Sequence, residues 1–85
     1  MKEYLSRLDA KSRNLGRMMT QCGVDPARLA GDQLGQTMAA TARACIACPH
    51  GAACALWLEA AAASGTTAPP HFCPNAGRFR SHRFH

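Results

Sequence analysis

The sequence predicts an all-α fold: a small three-helix domain whose irregular C-terminal tail folds back onto a four-cysteine metal centre. Three observations carry this reading. Apolar residues recur at helical spacing from Tyr4 to Ile46. Bulky β-branched residues are limited to one Val and one Ile, and no segment alternates as a strand does. Four of the five cysteines fall in two short stretches, each broken by proline.

The first helix is expected over about residues 3–22. Tyr4, Leu5, Leu8, Leu15, Met18, Met19 and Cys22 form its apolar stripe, with Lys11 at the skipped position and Arg7, Arg13, Asn14 and Arg17 opposite. Such a stripe serves as core or as a dimer seam, so a homodimer is one expected assembly. Gly23 suits a left-handed C-cap, and Asp25-Pro26 reads as an N-cap followed by proline at the first helical position. Residues 26–30 then make at most a short turn of helix.

A second long helix is expected over about 32–47, with Leu34, Met38, Ala42, Cys45 and Ile46 on one face, until Pro49 forbids its continuation. The third spans about 52–63, with Leu56, Trp57 and Ala60 as inward candidates. Residues 64–70 read as a connector and 71–85 as the tail, with a turn of helix near Asn75–Phe79. No internal repeat is apparent.

At 85 residues the chain is expected to form a single domain, 1–85. Of its apolar residues, 17 are Ala and 5 are Cys, leaving 18 larger side chains. So thin a core usually needs a staple such as a disulfide, a metal or a second subunit. No apolar run of about 18 residues exists to span a membrane. The N-terminus shows charge but no apolar segment of a secretory signal, so a cytoplasmic location is expected, where clustered cysteines more often bind metal than pair.

The formal net charge is +5, unevenly spread. Residues 45–77 contain one ionised side chain, Glu59, whereas Arg78, Arg80 and Arg83 crowd the end. Interleaved with Phe79 and Phe84, these arginines resemble a short nucleic-acid-binding segment, although three charges supply little affinity. No Ser-His-Asp order, phosphate loop or carboxylate pair is present, so the chain is expected to be non-enzymatic.

The chemistry concentrates in Cys45-Ile46-Ala47-Cys48-Pro49-His50-Gly51-Ala52-Ala53-Cys54 and Phe72-Cys73-Pro74-Asn75-Ala76. Two cysteines separated by two residues bring both thiolates to one centre, and Pro49 and Gly51 let the chain wrap around it. Cys54 falls in the first turn of a helix, where backbone N–H groups favour thiolate. Four thiolates at Cys45, Cys48, Cys54 and Cys73 fit a [4Fe–4S] cluster or tetrahedral zinc. Pro74 after the last cysteine and the absence of zinc-type hairpins favour iron–sulfur. His50 is an alternative ligand and would favour zinc; disulfides, or no centre at all, remain a third option. Cys22 shares the register of Met18 and is expected as a small buried hydrophobe. Trp57, one turn beyond Cys54, is expected to pack in the core and shield the centre.

Cys45-x-x-Cys48, Cys54-x-x-Trp57-Leu58 and Phe72-Cys73-Pro74-Asn75-Ala76 together resemble an uncharacterised family of small proteobacterial proteins. The resemblance covers roughly residues 15–79. It implies a helical cytoplasmic protein with a four-cysteine motif, and leaves the tail after Phe79 outside.

The combined expectation is a small iron–sulfur protein serving electron transfer or redox sensing with a protein redox partner. A zinc-stapled interaction module, with nucleic acid as a less favoured partner of its tail, is the alternative. Metal binding is expected to act as folding free energy for residues 45–80.

Overall fold

The computed structural model describes residues 2–84, without the side chain of Tyr4; the expectations for Tyr4 in the stripe and for His85 fall outside it. The described residues are all-α. The helices are α1 (Lys2–Gln21), α2 (Pro26–Gly31), α3 (Gln36–Ala47), α4 (Gly51–Ser64) and α5 (Ala76–Ser81). α1 packs against both α3 and α4, and α2 lies on α3. No single helix among the described residues is long and apolar enough to cross a membrane.

The first corner follows the sequence signals closely. Gly23 adopts φ +67°, a left-handed value that glycine reaches without a Cβ clash, and the chain leaves α1 there. The Asp25 carboxylate accepts the Ala27 and Arg28 amide N–H groups at 3.0 and 3.4 Å, while Pro26 opens α2. A cap of this kind stabilises a helix by about 1 kcal/mol.

The second long helix departs from expectation. It starts at Gln36, because Asp32–Gly35 forms a 3-10 turn containing Gln33 at φ 49° and Leu34 at φ 56°. This left-handed pair turns Leu34 out to 99% exposure, and Ile46 is also half exposed at 49%. Neither belongs to a continuous inner face, and Leu34 supplies no surface for α1. In the third helix the inward candidates also shift. Leu56 is 69% exposed and Ala60 is exposed, whereas Leu58 and Ala61 are buried and Trp57 is half-buried. Ala52-Ala53 and Ala60–Ala63 make that helix apolar on nearly every side, so periodicity cannot select its inner face.

The core comprises Met18, Cys22, Val24, Leu29, Leu58 and Phe79. It draws on α1, the α1–α2 turn, α2, α4 and α5, so the tail is an integral part of it. The tail's backbone also pairs with the first corner. Asp25 N–H donates to the His82 carbonyl at 2.8 Å, and Phe84 N–H to the Gly23 carbonyl at 3.1 Å, around an isolated Val24–Arg83 bridge. Arg28 donates to the Arg83 carbonyl at 2.8 Å, and His82 Nε2 lies 3.3 Å from the Asp32 carboxylate. Hydrogen bonds from Thr37, then His82, hold the Asp32 pKa below its ordinary value, with the charge of His82 adding to the effect.

Candidate four-thiol site

Two stretches of chain, 45–54 and 72–76, bring four thiols together. Cys45 sits in the last turn of α3, Cys48 in the turn that follows, Cys54 in the first turn of α4, and Cys73 in the loop before α5. All four are free and half-buried, and all line one cavity of about 30 Å³. Leu15, Met18, Phe72 and Phe79 complete its apolar wall. Among the described residues, no group of three or more His, Cys, Asp or Glu side chains stands in metal-binding geometry as the side chains lie.

Cys22 is set apart. It is 1% exposed within the core, with its sulfur 3.8 Å from that of Met18. Burial, followed by the neighbouring Cys73, raises its pKa to about 11. His50 is also separate from the cavity lining. Its ring lies against Phe72, with centroids 5.4 Å apart, so the aromatic wall of the cavity lies beside it. Trp57 packs on the core but does not line the cavity; Phe72 and Phe79 supply the aromatic wall instead.

The approach to the cavity is built twice from one local pattern. Cys48-Pro49-His50 leads into α4, and Cys73-Pro74-Asn75 leads into α5. The third residue has nearly the same backbone in both: φ −105°, ψ 30° at His50 and φ −101°, ψ 8° at Asn75. His50 N–H donates to Cys48 Sγ at 3.4 Å, and the Asn75 backbone donates to the Cys73 sulfur. A donor aimed at sulfur favours the thiolate over the thiol. This recurring Cys-Pro-x turn is a local motif that the sequence shows directly at Cys48-Pro49 and Cys73-Pro74.

Burial, neighbouring charges and hydrogen bonds shift three of these thiols, Cys45, Cys54 and Cys73. Burial pushes the Cys54 thiol up to about 11, with Cys73, Cys45 and Cys48 adding to the rise and Arg17 opposing it. Cys45 is raised by burial first and then by Cys48 and Cys73, against the lowering effect of Lys11. Cys73 is raised by burial, with the Asn75 N–H opposing. Protonated thiols are therefore favoured without a counter-charge, and a cation among them reverses that preference. Lys11 was assigned to a skipped position in the stripe, yet its ammonium donates to the Cys48 carbonyl and its own carbonyl accepts from the Cys45 thiol at 3.5 Å. Asn14 Nδ2 donates to the Gly51 carbonyl at 3.2 Å, joining α1 to the start of α4.

Asn75 secures the far side. It is buried, donates to the Thr41 carbonyl at 3.0 Å and accepts from Arg78 at 2.8 Å, tying the Cys73 loop to α3 and α5. Two of the tail arginines, Arg78 and Arg83, are correspondingly committed. Arg83 donates to the Thr67 carbonyl at 3.0 Å and Phe79 is 1% exposed, so the expected alternation of aromatic and basic residues does not form one exposed strip.

Fold and site together define a small all-α protein with four cysteine thiols around a single cavity and a fifth in its core. Residues 2–84 match a family of unknown function, DUF6455, and the chain belongs to that family. The match takes in the tail after Phe79, which the sequence resemblance had left outside. Neither the curated proteins nor the solved structures provide a match to the chain.

Proposed function

We propose that the chain is a small cytoplasmic iron–sulfur protein, with one [4Fe–4S] cluster held by Cys45, Cys48, Cys54 and Cys73. The observation that carries this reading is the shared cavity: four thiols from separate stretches line it, while the fifth is sequestered in the core. The chemistry of the donor set suits a soft metal centre, and the Asn75 backbone opposes the burial-driven rise of the Cys73 pKa. When bound, such a cluster supplies one-electron transfer at a potential tuned by hydrogen bonds to sulfur and by exposure. Four protein ligands leave no position for substrate, which favours electron transfer or redox sensing with a protein partner over catalysis.

Zinc is the second reading, favoured by the size of the cavity. About 30 Å³ has room on the scale of a couple of water molecules, enough for one ion. A four-iron cluster requires the half-buried thiols to rotate outward.

Anaerobic purification followed by iron, zinc and acid-labile sulfide analysis decides between them. Brown protein with about four irons and four sulfides per chain is expected. Colourless protein with one zinc per chain would establish the alternative. Cys73→Ser should sharply reduce metal content because serine is a poor soft-metal ligand, whereas Cys22→Ser should retain full occupancy. The reverse pattern would overturn the ligand assignment.

A further inference from the structure

One face of α1 is basic and borders open space. Arg7, Lys11, Arg13 and Arg17 line a groove of about 980 Å³, and among the described residues no carboxylate lines it with them. The one ion pair among the described residues joins His82 to Asp32, so none of these four cations is paired with an acid. Ile46, Pro49, Ala52 and Ala55 form an apolar opposite wall. Cys48 and Asn14 line both this groove and the thiol cavity, so the groove borders the four-cysteine site.

The arrangement selects among anionic occupants. From Arg7 to Arg17 the helix rises about 15 Å, so the cations are spread over nearly three turns rather than gathered around a single phosphate. Among the described residues, no Phe, Tyr or Trp side chain lines the groove to stack a base. A flat bilayer surface cannot follow a concave apolar wall. An elongated ligand with carboxylates along one edge and apolar side chains along the other satisfies both walls. That is the pattern of an amphipathic helix laid in a groove.

We propose that this groove docks an acidic amphipathic helix of a partner protein, with its carboxylates facing Arg7, Lys11, Arg13 and Arg17 and its apolar edge on Ile46, Pro49, Ala52 and Ala55. The docked partner would lie beside Cys48, at the wall of the four-thiol site. Electron exchange at that point rests on the iron–sulfur reading; docking does not.

The test uses the full chain, with its metal content measured on the same sample, and a fluorescent helical peptide carrying Leu along one edge and Glu on the flanks. Fluorescence anisotropy at low ionic strength should show saturable binding that weakens with salt. Arg7→Gln/Arg13→Gln/Arg17→Gln should raise Kd by about tenfold or more, through loss of charge complementarity. Ala52→Glu should also weaken binding, whereas Arg43→Gln/Arg80→Gln, at exposed positions outside the groove, should change Kd by less than about twofold. Equal weakening by both sets, absence of saturable binding, or stronger competition from a duplex oligonucleotide or phosphatidylserine vesicles than from unlabelled peptide would overturn the proposal. Peptide binding by a zinc-loaded, colourless sample would reject iron–sulfur while supporting docking. Iron-loaded protein that ignores the peptide would do the opposite.

Discussion

The corner joining α1, α2 and the tail differs in kind from the corner carrying the four thiols. In the first, Met18, Cys22, Val24, Leu29, Leu58 and Phe79 meet as a closed apolar core, and backbone hydrogen bonds join Gly23 and Asp25 to the tail. In the second, half-buried thiols line a small cavity, and long-range bonds from Lys11, Asn14 and Asn75 link the surrounding segments. The first corner gains its stability from removing carbon from water. The second contains groups that disfavour one another when ionised. A metal centre is therefore expected to order the thiol corner locally, while the apolar corner holds the helices together.

The largest effect should come from the apolar side. Phe79→Ala removes a nearly fully buried aromatic side chain and is expected to cost about 3–5 kcal/mol. In so small a domain that is comparable with the whole stability. Chemical denaturation should show loss of cooperative folding, with metal content falling as a consequence. A stable, cooperatively folded Phe79→Ala protein would mean that the two corners have been assigned the wrong roles.

The sequence made the first corner legible because its signals are local. Gly23, Asp25-Pro26 and the Met18–Cys22 register each specify a backbone or facing without knowledge of the rest of the chain. The four-thiol set was equally legible from its spacing. Other features depended on distant context. Leu34 fits a helical repeat, but Gly31-Asp32-Gln33-Leu34-Gly35 interrupts that repeat with two left-handed non-glycine residues. Leu56 and Leu58 could not be ranked in an Ala-rich helix with no polar face. Lys11 and Asn14 gave no hint of reaching the Cys48 turn and Gly51, since both contacts cross 37 positions. The exception was the Cys-Pro-x pair, which could have been found by aligning residues 48–52 with 73–77.

A more confined effect should follow removal of the proposed metal under reducing conditions. The sequence-based expectation is loss of order throughout residues 45–80, but Leu58, Ala61, Ala76 and Phe79 are buried, and Leu58 and Phe79 belong to the apolar corner. Hydrogen exchange should therefore lose protection around residues 48–54 and 71–75, with α1 and residues 58–64 much less affected. Uniform loss across the chain would make the metal a global staple. No change at 48–54 or 71–75 would remove metal from the account of local order.

The smallest effect distinguishes the fifth thiol from the other four. Burial raises the Cys22 pKa from 9.0 to about 11 in the folded chain, so the folded form retains its proton while the unfolded form ionises. Stability from this group is fully present below about pH 9 and declines toward pH 11, by at most about 1.4 kcal/mol per pH unit for one proton. Cys22→Ala removes that titration while keeping the position apolar. Denaturation of both proteins between pH 8 and 11.5, at equal metal content, should therefore give curves that converge as pH rises. Parallel curves would show that Cys22 ionises alike in the folded and unfolded chains, which a thiol buried beside Met18 in the core should not do.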